Sequence, residues 1–240
     1  MSSKFKVQSS KRPFVLVNMA MTADGKIATA NRVVSSFGST RDHEHLLELR
    51  ATTDAVMAGA GTVNAAPVNL GPGPARFRRL RLKNGLAEYN LRVVVSGTGR
   101  VNPQAEIFRH RFSPIIVLTT RRASEARLRQ LRAIASAVKV FGRREINFRA
   151  ALSWLRARWG VRRLLCEGGA ELNDALFRAG LVDQLHLTVC PRIFGGRTAP
   201  TIADGQGFLR LAKAAPFQIE SFKRIGHEAF AMFLKREIQK

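Results

Sequence analysis

Glu167-Gly168-Gly169 carries the densest chemical signal in this chain, because it stands where a strand turns into a helix. Ahead of it Val161–Cys166 (VRRLLC) has strand length. Behind it Ala170, Leu172, Ala175, Leu176 and Ala179 recur at helical spacing, and Gly180 supplies the stop. Two adjacent glycines let an anionic group approach backbone N–H groups at a helix N-terminus, where the macrodipole favours negative charge. The turn reads as a cradle for a cofactor phosphate, made by Gly168 and Gly169 with the first helical residues Ala170, Glu171 and Leu172. A tight turn that binds nothing is the plain alternative, and the commoner one for an isolated Gly-Gly. Glu167 is a carboxylate placed to position a substrate, or to deliver a proton if burial raises its pKa.

Other strands end in the same kind of residue. Ala55–Ala58 closes in Gly59-Ala60-Gly61-Thr62, Leu91–Val95 in Ser96-Gly97, and Pro114–Leu118 in Thr119-Thr120-Arg121-Arg122. In a mostly parallel sheet those carboxyl ends share one edge, where α/β proteins bind ligands. Ser96, Gly97 and Thr119 are therefore candidate cofactor contacts. Arg121 and Arg122 begin a helix, where the dipole does not favour cations, and they could pair with the 2′-phosphate that separates NADPH from NADH.

The elements that must hold these residues can be traced along the chain. Pro13–Met21 is a strand, followed by the turn Thr22-Ala23-Asp24-Gly25-Lys26. Ser39–Ala51 is a helix with Ser39 or Thr40 as cap, Asp42 in its first turn, and Leu46, Leu47 and Leu49 as packing face. Residues 64–90 read as an excursion, a lid or a dimer contact. Ser124 caps a helix to about Ala135, Val138–Phe141 is a strand, and Asn147 caps the helix Phe148–Trp159, stopped by Gly160. Leu181–Cys190 is a strand, and Pro216–Phe222 with Glu228–Lys235 form a closing antiparallel hairpin. His186 and His227 read as core or surface histidines.

A chain of 240 residues suits one globular α/β domain, here residues 13–236 behind a flexible basic tail, 1–12. No run of about 18 apolar residues suggests a membrane span, and the polar N-terminus is not a secretory signal. Cys166 and Cys190 fall at strand ends and read as buried thiols in a reducing cytoplasm. No Cys/His spacing indicates a metal. The net charge of +23 would attract phosphorylated ligands or nucleic acid. Its arginines are scattered over many elements and no RNA-binding motif is present, so nucleic-acid binding is expected to be non-specific at most.

The string CEGGAELNDALFRAGLVDQLHLTVCPRIFGG, together with NMAMTADGKIA near the start, resembles the riboflavin-biosynthesis pyrimidine reductases of the RibD carboxyl-terminal family. The resemblance implies a dihydrofolate-reductase-like fold: a twisted, mostly parallel sheet with flanking helices and a C-terminal antiparallel hairpin. It implies NADPH as cofactor, a homodimer, and reduction of a phosphoribosylamino-pyrimidine's ribosyl group to ribityl. It places Ala20 against the nicotinamide, Thr62 on the cofactor and Arg50 on the substrate's ribose phosphate, and it brings Asp24 and Lys26 into the site as aids to ring opening. The chain departs from the family in Asn64–Pro74, where an acidic residue and a terminal arginine are missing; Arg76 is the replacement cation, and Asn69 joins the substrate contacts. The zinc-deaminase signature that precedes many relatives is absent, leaving the reduction alone. A reductase of another carbonyl, imine or pterin-like substrate is the nearer alternative, and a basic nucleic-acid-binding protein the more distant one.

Overall fold

The computed structural model describes residues 11–32 and 37–236. Residues 1–10 of the expected tail lie outside that description. Arg12, also expected in the tail, is anchored instead: its guanidinium bonds both oxygens of Asp183, at 2.7 and 2.6 Å, and Asp183 also accepts the Val15 N–H.

Seven strands run parallel: β1 (Phe14–Thr22), β2 (Ala55–Gly59), β3 (Leu91–Ser96), β4 (Ile115–Thr119), β5 (Ala137–Val140), β6 (Arg163–Cys166) and β7 (Gln184–Cys190). β8 (Phe217–Ile225) and β9 (Glu228–Lys235) add an antiparallel pair, giving the order β5-β4-β3-β2-β6-β1-β7-β9-β8. The helices are α1 (Thr40–Arg50), α2 (Ala60–Ala65), α3 (Ala75–Lys83), α4 (Glu106–Arg109), α5 (Glu125–Ile134), α6 (Phe148–Trp159) and α7 (Ala170–Arg178).

Central strands are mostly apolar on both sides because helices cover both faces of the sheet, the buried Asn18, Arg92 and His186 being exceptions. On one face Val15, Val17 and Met19 of β1 meet Leu152 and Leu155 of α6 and Leu172 and Leu176 of α7. On the other, Leu16 packs with Leu49 of α1 and Leu165 of β6. The expected caps form: Ser39, Ser124 and Asn147 accept from the backbone N–H of Asp42, Arg127 and Ala150, and Gly160 ends α6 at φ +67°. Each satisfies a donor that the helix itself cannot.

The segment after β2 differs from the expected excursion, because it folds into α2 and α3 and packs down. In α3 the buried side chains are Phe77 and Arg81. Arg81 donates to the carbonyls of Arg50, Thr53 and Ala87, closing the C-terminal end of α1. A helix anchored by one phenylalanine and one arginine shows no apolar period, which is why its sequence, ARFRRLRLK, hides it.

Beneath α1, His45 Nε2 lies 3.2 Å from His186 Nδ1. His186 is buried, while His227 is exposed. Burial, then the neighbouring His45, pushes the His186 pKa from 6.5 down to about 4. In the unfolded chain His186 takes up a proton near pH 6.5, whereas the folded protein keeps it neutral to about pH 4. The unfolded state thus binds more protons across that window, and stability falls as pH falls through it, by roughly 3 kcal/mol in total from this group. Urea unfolding between about pH 7 and pH 4 should show that slope, and His186→Gln should flatten it. An unaltered slope in His186→Gln would assign the pH dependence to other groups.

Candidate active site

The short strand β6 sits between β1 and β2 and delivers Glu167 to the carboxyl edge of the sheet. The turn that follows is stitched to the end of β2: Glu167 N–H donates to Met57 O at 2.9 Å and Gly59 N–H donates to Gly168 O at 2.7 Å. The Gly168–Gly169 peptide is cis. Gly168 has φ +80°, and a Cβ there would stand 3.0 Å from Met19 Sδ, so this position requires glycine. Gly169 has φ −74°, open to any residue, and its missing side chain faces Thr62 Oγ1 at 3.4 Å. Of the two glycines, then, Gly168 answers to backbone conformation and Gly169 keeps space open.

Two helices begin at this turn. Gly59 precedes α2 and Gly169 precedes α7, and a Cβ on Gly59 would lie 3.5 Å from Gly169 N. Neither helix has a side-chain cap, in contrast to α1, α5 and α6. The two helix starts therefore adjoin, and Gly61, two residues beyond Gly59, has open space where a side chain would stand. An anion placed there would receive unpaired donors and both positive dipole ends. The arrangement fits a dinucleotide pyrophosphate.

The expected cofactor residues are distributed around this point. Thr62 faces Gly169, and Ala170, Glu171 and Leu172 form the first turn of α7, with Glu171 exposed and the Leu172 side chain in the core. Ala20 lies on β1, in register with Thr188 of β7. Ser96 and Thr119 end β3 and β4 side by side in register; both are buried, Thr119 completely, and Thr120 Oγ1 donates to Gly97 O at 2.6 Å. Arg121 and Arg122 are exposed at the same edge, and neither forms an ion pair among the described residues.

The expected substrate residues form one connected unit, with one exception. Arg50 Nε and Nη2 bond the two oxygens of Glu167 at 2.6 and 2.7 Å, and Nη1 donates to Gly71 O at 2.6 Å. Gly71 N–H in turn donates to Asn69 Oδ1 at 2.8 Å. Arg76 stands apart: it is exposed, and its guanidinium pairs with Glu44 of α1. Asp24 accepts from Thr22 Oγ1, from Phe194 N–H at 3.2 Å and from Gly195 N–H at 2.7 Å. The Thr22 hydroxyl, with those two backbone donors, holds its carboxyl below the usual carboxylate range. Lys26 Nζ donates to Ala199 O at 3.2 Å. Both residues tie the loop after β7 to the end of β1. Cys166 and Cys190 are buried free thiols, each pushed up to about 12 by burial.

Asn18 escaped the sequence reading, and His186, read as a core or surface histidine, is in the core beside it. Asn18 and His186 pair in register on β1 and β7, and Val17 pairs with Cys166, so Asn18 stands beside Glu167 on the α1 face. Asn18 Oδ1 and His186 Nε2 are buried without a protein partner. One asparagine inside FVLVNMAMT was the available signal, because an apolar strand carries a buried amide only where something satisfies it.

An open edge of a parallel sheet, with two uncapped helix N-termini meeting at a Gly-Gly turn, defines an α/β protein of the nucleotide-binding class. The chain belongs to the RibD C-terminal domain family, whose pattern it matches over residues 13–230. It is 38% identical over 221 residues to the 2,5-diamino-6-ribosylamino-4(3H)-pyrimidinone 5′-phosphate reductase of Archaeoglobus fulgidus, covering 92% of this chain and 97% of that protein. It is 33% identical over 217 residues to the protein of the same name from Methanothermobacter thermautotrophicus, covering 90% and 95%. Among solved structures, a pyrimidine reductase-like protein from Corynebacterium diphtheriae superposes with a TM-score of 0.76 at 22% identity, over 94% of this chain and 93% of that one. Acinetobacter baumannii RibD gives 0.74 at 20% identity, over 96% of this chain and 60% of that longer one. The dihydrofolate-reductase-like fold expected from the sequence is the fold observed.

The Arg50–Glu167 pair should be measurable in stability. Arg50→Ala leaves Glu167 half-enclosed without its cation, a loss of about 3–5 kcal/mol for a buried pair. Arg50→Met combined with Glu167→Leu removes both charges and should recover most of that stability while abolishing activity. Urea midpoints for the two variants decide it: an Arg50→Ala protein within about 1 kcal/mol of wild type would show that the pair does not hold the site together.

Proposed function

We propose that this chain is an NADPH-dependent reductase of riboflavin biosynthesis. Its substrate is a 5-phosphoribosylamino-pyrimidine of the kind named for its archaeal relatives, whose ribosyl group becomes a ribityl chain. The observation that carries this reading is the convergence of the uncapped α2 and α7 N-termini on the Gly168-Gly169 turn, which fits a dinucleotide pyrophosphate. A bound nicotinamide would supply hydride to C1 of the opened sugar, with solvent supplying the accompanying proton. Family membership gives no support to a nucleic-acid-binding role, and the +23 charge suits a protein whose ligands are both phosphorylated.

The chain's own residues then have separable tasks. Gly169 and Thr62 leave room for the pyrophosphate, and Arg121 and Arg122 take the 2′-phosphate. Glu167 accepts hydrogen bonds from the substrate through lone pairs that Arg50 leaves free. Arg50 acts through Glu167 and the Gly71 carbonyl, which occupy its donors. Asp24 and Lys26 position the loop after β7, and Asn18 stands beside Glu167 on the α1 face. Among the described residues no helix is long and apolar enough to cross a membrane, and the two free thiols suit a reducing cytoplasm.

The test is NADPH binding and its oxidation with the phosphoribosylamino-pyrimidine. Wild type should bind NADPH tightly and turn over. Gly169→Val, at a position whose backbone accepts a side chain, should stay folded and lose cofactor affinity sharply. Arg121→Ala with Arg122→Ala should lower the preference for NADPH over NADH about tenfold or more, the worth of a charge-assisted hydrogen bond. A folded Gly169→Val protein with an unchanged NADPH titration would place the dinucleotide elsewhere. Tight NADPH binding without turnover would refute the substrate.

We propose a homodimer formed through the outer strand β8. That edge exposes Ile219 and Phe222, and the preceding loop leaves Leu209 98% and Leu211 93% exposed. An outer strand that exposes large apolar side chains is a liability unless something covers them. Light scattering should return twice the chain mass, and Phe222→Lys with Leu211→Lys should return the monomer. A monomeric wild type would overturn the assignment.

A further inference from the structure

We propose that a cavity at the amino ends of β3 and β4 binds a small organic anion with a flat apolar body. This cavity is about 380 Å³ and lies at the opposite end of those strands from Ser96 and Thr119. Phe112 and Ile134 form its apolar walls; Arg92, Arg111, Ser113 and Ser136 are its polar ones, and no carboxylate lines it. The proposal concerns a second site, so it stands or falls separately from the reductase reading.

Arg92 is the reason to look here. It is fully buried, and its donors end on neutral oxygens: Nε on Ser113 Oγ at 3.0 Å, Nη1 on Ile107 O at 2.9 Å, and Nη2 on Ser113 O. The Phe112 ring lies 4.2 Å from its Cζ. Arg12 and Arg50 have Asp183 and Glu167 as counter-charges, and Arg81, the other fully buried arginine, ends on backbone carbonyls with the charge of Asp54 acting on it. Arg92 has none among the described residues, and burial alone pushes its pKa down to about 10. A guanidinium in that position has its hydrogen bonds satisfied and its charge uncompensated, the costly half of a buried ion pair.

The surrounding groups are those that would recognise the missing charge. Arg111 stands exposed at the rim and forms no ion pair among the described residues. Ser136 Oγ accepts from Ile115 N–H at 3.1 Å and Ser113 Oγ accepts from Arg92, so both hydroxyl protons remain to donate. A carboxylate or phosphate would take Arg111 and the hydroxyls directly, while Arg92, out of contact, adds a favourable field. The apolar walls call for a ring or other flat body attached to the acid. A bare inorganic ion would leave them wet.

Benzoate is the probe, with benzamide as the neutral isostere, titrated into the whole protein while the amide signals of Ser113 and Ser136 are followed by NMR. Benzoate should give saturable shifts localised to these residues, benzamide none, and Arg111→Ala should weaken benzoate at least about tenfold. Ser136→Ala should weaken it by a smaller factor. NADPH titration should be unchanged in both variants, since neither residue lies at the cradle. Arg111 and Ser136 are exposed, so both variants are expected to fold. Equal binding of benzamide, shifts scattered over the many surface arginines, or full affinity in Arg111→Ala would each overturn the proposal.

Discussion

The bidentate pair between Arg50 and Glu167 is the interaction on which the site depends. It joins the last residue of α1 to the first residue after β6, two positions 117 apart in sequence. The third donor direction of Arg50 reaches the loop before α3 through Gly71 O, and Arg81 of α3 caps the carbonyl of Arg50 itself. One guanidinium thus fixes the orientation of a carboxylate, the end of a helix and the path of a loop. Its side chain is 10% exposed and that of Glu167 is 11%, so solvent screens the pair little. A planar fork can satisfy three such directions at once, and a lysine cannot.

The sheet explains why that pair lies beside the cradle. β6 is only four residues long, so it delivers Glu167 to the α1 face at the level of Asn18, while β1 runs on for four further residues to Thr22. The short strand leaves a notch in the carboxyl edge. The Gly168-Gly169 turn fills the back of that notch and points the start of α7 toward the start of α2. The Gly168-Gly169 turn and the Glu167 carboxylate are consecutive in sequence for this reason: the same strand end positions both.

What could be read from the sequence was local. Ser39, Ser124, Asn147 and Gly160 announced helix ends because a cap needs only its own backbone, and the apolar strands announced a two-sided sheet for the same kind of reason. The Glu167 turn was legible as a strand-to-helix junction. The Arg50–Glu167 contact was not, because each residue alone looks like an ordinary helix-end or turn residue and only tertiary folding pairs them. α3 was hidden for a similar reason: its anchor is Arg81, whose partners are the carbonyl of the last residue of α1 and those of two loop residues, Thr53 and Ala87. Asn18 and His186 became significant only through strand register, which no single-strand pattern encodes.

The loop at Asn64–Pro74, where this chain departs from its relatives' pattern, shows how backbone can take over from lost side chains. The loop has neither the acid nor the terminal arginine that the resemblance implies there, and Arg76 turns outward to Glu44. In their place the loop is fastened by its own main chain. Leu70 is buried at φ +54°, its carbonyl accepts from Asn90 Nδ2 at 2.8 Å, and Gly71 offers N–H to Asn69 and C=O to Arg50. A Cβ on Gly71 would come within 2.6 Å of the Phe112 ring, so the glycine is required by that aromatic contact. Phe112 is also the ring that covers Arg92. Glu167, Arg50, the loop at Gly71, Phe112 and the buried Arg92 at the far edge therefore form one continuous chain of neighbours. The loop can lose its family side chains and still hold Arg50, because what Arg50 needs from it is one carbonyl in a fixed place.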